Sequence, residues 1–510
     1  MTMSWRRNAV WVVLGLALLA AASLAATRVP VYGDDFRLAQ KSFDMFDGSL
    51  GGVLKDSWNT GWQPNRFNPV GRFFAFTYHF LAFDVSAQFG VSIHWFYRLG
   101  AFVLLVLLVL AASAFMLIGV RFMSVENRWL TFGPVFAGIA AGLAITMQLH
   151  PWSHDPMLTI SEIGLTSWAL SFAFLALALR VASRPPSLAG YLGVGAVAVV
   201  GTMFYETFVA AVAAAGLVWL WVLVRDIRVG AKPWHALTLA AVGALAPLLV
   251  FVLGRVYVAS LDLPPYPGTE LEFGPAGLVP FSFLALGMVP ASAWPEAARY
   301  VSGGGDAGIF PAGAITLSSA SIATTAVIVL VLGIGAALAR ADIRRRLVFA
   351  RRGWVVGGVL LLVVGLMLAM HSFTEKYIAE ITSPGDIYLS YTGLAVVVVM
   401  IVFAALLAAR RRLLLVIVLL PIAGAFVTAQ QAVNWSVANA AGADNSTNRA
   451  ITAMAVRWEP DEAVRCDALR AWDEGHNWRP YYREAVIPSL NANYERLFGE
   501  PFCAGYAITE

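Results

Sequence analysis

Residues 8–26 read NAVWVVLGLALLAAASLAA, and residues 31–37 read VYGDDFR. The first stretch is long and apolar enough to cross a bilayer as a helix, because about 20 such residues span the hydrocarbon core. The second stretch places two adjacent carboxylates, Asp34 and Asp35, within ten residues of the end of that span. Charge is most costly in contact with lipid. An acidic pair held just outside the bilayer therefore predicts a function at the membrane surface.

The whole chain has the composition of a multispanning membrane protein. Of its 510 residues, 59% are hydrophobic and 13% are charged, and the mean hydropathy is +0.71. Soluble domains carry more charge, so we predict an all-α polytopic membrane protein with about eleven transmembrane helices. The predicted spans are residues 8–26, 96–119, 130–148, 163–182, 188–204, 207–224, 236–258, 317–338, 353–371, 391–409 and 413–430. A further run, 278–294, is short and broken by Pro280 and Pro290, which predicts a re-entrant or interfacial segment.

Arginine is concentrated in alternate connections between these spans. The largest group lies between the eighth and ninth spans and includes Arg344, Arg345 and Arg346. Short cytoplasmic loops of membrane proteins carry an excess of basic residues, so this pattern predicts a cytoplasmic N-terminus and an extracytoplasmic C-terminus. Cleavage of the first span as a signal peptide is the alternative to its retention, and it leaves Asp34 on the same side of the membrane.

This topology divides the chain into two regions. A transmembrane domain is expected over residues 1–430, with long extracytoplasmic loops at 27–95 and 259–316. The polar remainder, 431–510, is expected to form an extracytoplasmic tail or small domain.

The tail also holds both cysteines of the chain, Cys466 and Cys503. An even number of cysteines in an outward-facing polar segment predicts a disulfide, with two free thiols as the alternative. Asn434 and Asn445 each begin a glycosylation sequon, a pattern that is common by chance. Scarce lysine with abundant arginine and alanine is compatible with a bacterial genome, so the expected location is the bacterial plasma membrane, with an active site facing outside.

Ionisable residues are almost absent from the middles of the predicted spans and collect near their outer ends. The members of this layer are Asp34, Asp35, His150, His154, Asp155, Glu162, Glu206, Arg255 and His371. Such a layer suits a site where a lipid head group meets a polar substrate. It does not favour the mid-membrane binding site that is typical of transporters.

An amphipathic segment follows in the first outer loop, at residues 65–80. Pro69 suits a helix start, and Phe73, Phe76 and Phe80 share one face, while Arg72 and His79 lie on one side. The pattern predicts a helix in the plane of the membrane interface. The alternative for the aromatic residues is a packed stripe without a ligand role.

The arrangement of one N-terminal span, an acidic pair, a long first outer loop, about eleven spans and an outer tail resembles the GT-C superfamily of integral-membrane glycosyltransferases. The stretch Tyr32-Gly33-Asp34-Asp35 is most similar to bacterial members of the glucosyltransferase type. The resemblance implies transfer of a sugar from a polyprenyl-phosphate-linked donor to an extracytoplasmic acceptor. In some members a second acidic motif binds a metal, and His154 with Asp155 is a loose match to it.

The chemistry of such a transfer suggests roles for these side chains. A sugar hydroxyl becomes a good nucleophile when a base accepts its proton, and a phosphate leaving group needs cations. Asp34 or Asp35 is the expected catalytic base, while the other carboxylate orients the acceptor or a cation. Glu206 is a further acidic candidate on the acceptor side. The candidates for binding the donor phosphate are Arg72, Arg255, His371 and Lys376.

The expected partners are the polyprenyl-phosphate sugar, a glycan, lipid or protein acceptor, and membrane lipids; nucleic acid is not expected. A divalent cation (Mg²⁺, Mn²⁺ or Ca²⁺) is an open alternative to arginine at the phosphate. Three other functions stay open at this point. They are a transporter or flippase of lipid-linked sugars, a polymerase or ligase of surface glycans, and a non-catalytic scaffold.

Overall fold

A computed structural model describes most of the chain. The described residues are 2–41, 44–63, 66–123, 131–149, 157–159, 161–230, 232–261, 272–286, 315–342, 365–366, 369, 372–380, 412–475 and 480–506. Within them the fold is helical apart from one hairpin with two residues in each strand, β1 (Trp62–Gln63) and β2 (Arg66–Phe67). The prediction of an all-helical chain is therefore confirmed for the described residues.

The helices follow one another in this order. They are α1 (Thr2–Ser23), α2 (Gly33–Ala39), α3 (Leu50–Thr60), α4 (Pro69–Phe89), α5 (Ile93–Met123), α6 (Phe132–Thr146), α7 (Ser161–Ala182), α8 (Leu188–Phe204), α9 (Phe208–Arg228), α10 (Trp234–Ala259, with a π-helical turn at Ala241–Leu245), α11 (Leu278–Leu286), α12 (Ser319–Asp342), α13 (Glu375–Glu380), α14 (Arg412–Asp444), α15 (Ser446–Met454), α16 (Glu462–Gly475) and α17 (Pro480–Phe498).

Among the described residues, five helical segments are long and apolar enough to cross a membrane. They are Asn8–Arg28, Ile93–Gly119, Ser161–Ala182, Phe208–Arg228 and Trp234–Ala259. Shorter apolar helices occur at Phe132–Thr146, Leu188–Phe204 and Ser319–Gly335. The chain is thus a membrane-embedded helical protein. Apart from residues 365–366 and 369, the predicted spans 353–371 and 391–409 lie outside the described residues, and the count of eleven and the orientation stay predictions.

Close packing of small residues holds the long helices together. The pairs α5–α7 and α1–α6 form the centre of the main core. A Cβ added to Gly15 of α1 would lie 2.7 Å from the ring of Phe136 in α6. Helices in lipid gain little from apolar burial against one another, so this kind of close approach is what favours their association.

The first loop folds into α2, α3, the hairpin and α4. Gly33 opens α2 with a φ of 63°, a left-handed conformation that glycine adopts without strain. α4 begins at Pro69, as predicted, and it packs against α2, α3, α5, α7 and α8, while its position in the membrane interface stays a prediction. Phe76 and Phe80 are buried, which is the packed aromatic stripe that was the alternative. Phe73 of the same helix stays partly exposed.

The last long helix, α14, continues past residue 430, where the tail was expected to begin, and ends at Asp444. Helices α15 to α17 follow, and a disulfide joins Cys466 to Cys503. Asn434 and Asn445, which begin the two sequons, are both buried. Buried asparagines are inaccessible to a glycosylating enzyme in the folded protein.

The tail packs directly on the first loop. Asn448 of α15 donates a hydrogen bond to the carbonyl oxygen of Val31 at 3.0 Å and accepts one from Nε1 of Trp472 at 2.7 Å. The Trp472 ring stacks on Phe36 of α2, with 5.6 Å between the ring centroids. Asn493 of α17 donates a hydrogen bond to the carbonyl oxygen of Gln40. Helix α2, which carries both aspartates, is therefore held by the C-terminal helices.

Replacing Asn448→Ala removes its three side-chain hydrogen bonds, to Val31, Asn445 and Trp472, and leaves the Val31 carbonyl and the Trp472 indole without these partners. An unpaired buried polar group costs about 1–3 kcal/mol, so we expect a loss of stability of about 2–4 kcal/mol and faster proteolysis of the tail. Thermal unfolding of the protein in detergent, with limited proteolysis, measures both effects.

Thr452→Ala is a matched control on the same helix. Thr452 is also buried, but its hydroxyl bonds only to carbonyls of its own helix, those of Asn448 and Arg449. We expect this variant to stay close to the wild type. Equal losses for the two variants would contradict a role for Asn448 in attaching the tail.

Candidate functional site

The two adjacent aspartates face different surroundings. The Asp34 side chain is 43% exposed, and its Oδ1 lies 3.0 Å from Nη2 of Arg37, one turn further along α2. The Asp35 side chain is buried, with 1% exposure of the residue. Successive residues of a helix point about 100° apart, which explains why one carboxylate faces outward and the other faces the core. The two carboxylates therefore lie in different environments, one at the surface and one in the interior.

Asp35 meets His79 of α4 and Glu162 of α7 in the interior. One donor atom from each of the three side chains lies within 4.8 Å of the others, and all three residues are buried. Nε2 of His79 lies 3.5 Å from Oε1 of Glu162. We refer to Asp35, His79 and Glu162 as the buried cluster.

Arg98 of α5 fixes the segments that carry the buried cluster. Its guanidinium donates hydrogen bonds to the carbonyl oxygens of Val29 (3.1 Å) and Pro30 (3.0 Å), just before α2. It also donates to the carbonyl oxygens of Met157 (3.1 Å) and Leu158 (2.8 Å), just before α7. One buried cation thus sets the distance between the end of the first span and the start of α7.

Two tyrosines border the buried cluster. Nδ1 of His79 lies 2.6 Å from the hydroxyl oxygen of Tyr97, and that hydroxyl donates a hydrogen bond to the backbone carbonyl of Asp35 at 3.2 Å. Burial raises the pKa of the Tyr78 hydroxyl, and the carboxylates of Glu162 and Asp35 raise it further. The two carboxylates of the cluster therefore disfavour a negative charge on the Tyr78 hydroxyl.

Glu206 and Arg255, two of the residues singled out from the sequence, bind each other. Nη2 of Arg255 lies 3.1 Å from Oε1 of Glu206, with a quarter to a third of each side chain exposed. The same oxygen accepts a hydrogen bond from the backbone N–H of Phe67 at 2.9 Å. Arg255 also lies over the ring of Phe251, 5.5 Å from its centroid.

This ion pair supports the start of α4, whereas His79 lies about 15 Å further along the same helix, at 1.5 Å per residue. The structure therefore places Glu206 and Arg255 apart from the buried cluster. Because each charge is compensated by the other, both residues fit a supporting role better than direct contact with a substrate.

Of the remaining predicted site residues, the structure describes some and not others. Arg72 is half-buried on α4, with its guanidinium 5.9 Å from the centroid of the Phe76 ring. Lys376 belongs to α13, but its side chain is not described. His154, Asp155 and His371 lie outside the described residues.

Sequence reasoning did not assign a role to His79, Tyr97 or Arg98, and it included Glu162 only as a member of the outer layer. The signal for His79 was its position seven residues after Arg72, which puts both on one side of α4. Tyr97 and Arg98 stand at the start of a predicted span, where membrane-interface anchors are common. Nothing in the sequence distinguishes such anchors from residues that organise a site.

A double-mutant cycle with Glu206→Gln and Arg255→Gln tests the supporting role. Partly exposed ion pairs contribute about 0.2–1 kcal/mol, so we expect a coupling free energy near the upper end of that range in unfolding experiments. The glutamine at 206 still accepts the Phe67 N–H, so this single variant keeps α4 in place. The exposed pair Arg470–Asp467 is the control, with coupling close to zero. Equal coupling in the two pairs would contradict the supporting role.

Comparison with known proteins does not assign this chain to a family. No protein-family model matches the sequence, and neither a curated protein nor a solved structure matches the chain. Function is therefore inferred from the chemistry of the residues described above.

Proposed function

We propose that this chain is a membrane-embedded glycosyltransferase. In this proposal it moves a sugar from a polyprenyl-phosphate-linked donor to a cell-envelope acceptor on the outer side of the bacterial plasma membrane. The observation that carries the proposal is the half-exposed carboxylate of Asp34, held by Arg37 in the first turn of a helix that directly follows the first span. A carboxylate just beyond the end of a membrane span is accessible both to a lipid-linked donor in the bilayer and to a water-soluble acceptor.

Asp34 is the better of the two aspartates for the catalytic base. A base has to come within hydrogen-bond distance of the acceptor hydroxyl, and Asp34 is accessible whereas Asp35 is buried. As the acceptor oxygen bonds to the anomeric carbon, its proton passes to Asp34 and the bond from that carbon to the donor phosphate breaks. The sugar is transferred with inversion, and the carrier phosphate leaves with the bonding electrons.

The phosphate needs positive charge beside Asp34. Arg37 is the cation next to it, and Arg72 lies on α4, which packs against α2. We propose these two arginines as the first phosphate ligands because of their place near Asp34, whereas Arg255 pairs with Glu206 beside Phe67 at the start of α4. Lys376 and His371 are proposed as further ligands of the donor phosphate. Asp35, in the buried cluster, is proposed as a residue that positions α2.

Replacing Asp34→Asn keeps the shape of the side chain and removes the base. General bases contribute about 10²–10⁴-fold to a reaction rate, so we expect a loss of that size in sugar transfer from a polyprenyl-phosphate donor in proteoliposomes. Binding of the donor should stay within a few-fold of wild type. Asp35→Asn should also abolish transfer, because it disturbs the buried cluster that positions α2.

The matched control is Asp84→Asn on α4. Asp84 is also a carboxylate of the first loop, and its Oδ2 accepts a hydrogen bond from Gln88 at the surface. We expect this variant to transfer sugar at the wild-type rate. Full transfer by both the Asp34 and the Asp35 variants would exclude the proposed glycosyltransferase mechanism.

A further inference from the structure

We infer that Asp35, His79 and Glu162 bind one divalent transition-metal ion, Mn²⁺ or Zn²⁺, in the interior of the protein. The proposed transfer reaction assigns no such ion to these residues, and the inference stands whether or not the chain transfers sugars. It depends on three properties of the buried cluster: an unsatisfied carboxylate, a fixed histidine tautomer, and the spacing of the donor atoms.

Glu162 is a buried acid to which none of the described residues donates a hydrogen bond. Its residue is 0% exposed, and neither carboxylate oxygen has a hydrogen-bond partner among the described residues. Its place in the first turn of α7 suits a negative charge, but that position alone leaves both oxygens unsatisfied. A buried carboxylate needs a partner of opposite charge to offset the loss of hydration.

Tyr97 decides which nitrogen of His79 carries hydrogen. Its hydroxyl has a single proton, which it donates to the carbonyl oxygen of Asp35. With the hydroxyl proton on that carbonyl, Nδ1 of His79, 2.6 Å from the same hydroxyl, is the donor in that contact. In the neutral ring this leaves a lone pair on Nε2, which faces Glu162 and has no hydrogen-bond partner among the described residues. Histidine ligands of metals typically have their second nitrogen fixed in this way.

The distances suit an ion between these groups. Nε2 of His79 and Oε1 of Glu162 are 3.5 Å apart, which is long for a hydrogen bond. For an ion about 2.1 Å from each atom, the angle between its bonds to Nε2 and Oε1 would be about 110°, close to the angle in tetrahedral zinc sites. Asp35 supplies a third donor atom within 4.8 Å of the other two. Small side-chain movements are sufficient to bring all three onto one ion.

The donor set selects the class of metal. Carboxylates alone suit Mg²⁺ and Ca²⁺, whereas an imidazole nitrogen suits zinc and other first-row transition metals. Two carboxylates and one divalent ion are also electrically balanced, which matters in a buried site. Three protein ligands leave at least one position open, where water or an oxygen of a bound molecule completes the coordination.

The experiment uses the purified full-length chain in detergent, freed of metal with a chelator and titrated with Mn²⁺. We expect one bound Mn²⁺ per chain, displaced by Zn²⁺ at lower concentration than by Ca²⁺. Pulsed electron paramagnetic resonance should detect coupling of the bound Mn²⁺ to a histidine nitrogen. Glu162→Gln and His79→Gln should each weaken binding by at least about 100-fold, and His79→Gln should also remove the nitrogen coupling.

Asp34→Asn is the matched control, because Asp34 neighbours Asp35 but pairs with Arg37 at the surface. It should bind Mn²⁺ as the wild type does, even though the proposed function expects it to lose sugar transfer. Size-exclusion profiles identify variants that fail to fold, and either glutamine variant alone suffices for the test. Absence of Mn²⁺ and Zn²⁺ binding in the wild type, or unchanged binding in a folded glutamine variant, would overturn the inference.

Discussion

The arrangement of the site depends on the buried guanidinium of Arg98. A charged group away from water is stable only when its donors are satisfied, and here four backbone carbonyls from two distant segments, at 29–30 and 157–158, accept them. Those segments precede α2 and α7, which carry Asp35 and Glu162. A planar group with donors in fixed directions sets the spacing of two helices that otherwise share few direct contacts. Lysine, with one nitrogen, could not reach all four acceptors.

Two identical residues in sequence acquire different chemistry from the helix that contains them. Gly33, in a left-handed conformation, starts α2 immediately before Asp34. Both aspartates therefore lie in the first turn of the helix, where successive side chains point in different directions. Asp34 faces Arg37 and solvent, and Asp35 faces His79 and Glu162. A pair that looks like a single acidic motif is thus divided between a surface position and the interior.

The sequence was sufficient to predict a helical membrane protein and the start of α4 at Pro69. These features depend on local hydropathy and on proline, which the chain shows directly. The burial of Phe76 was not predictable with the same certainty, because an aromatic stripe fits lipid and protein equally well. The meeting of Asp35, His79 and Glu162 depends on how α2, α4 and α7 pack. Arg255 looked suitable for phosphate, but only the tertiary contact with Glu206 shows that its charge is already compensated.

The contact between Asn448 and Val31 joins residues 417 positions apart in the chain. Closing so long a loop is entropically costly, and the bond forms only after the ribosome has made almost the whole protein. The helix with the two aspartates therefore receives its final support at the end of synthesis. A chain that stops early has its first loop and long helices but lacks the contacts that steady α2.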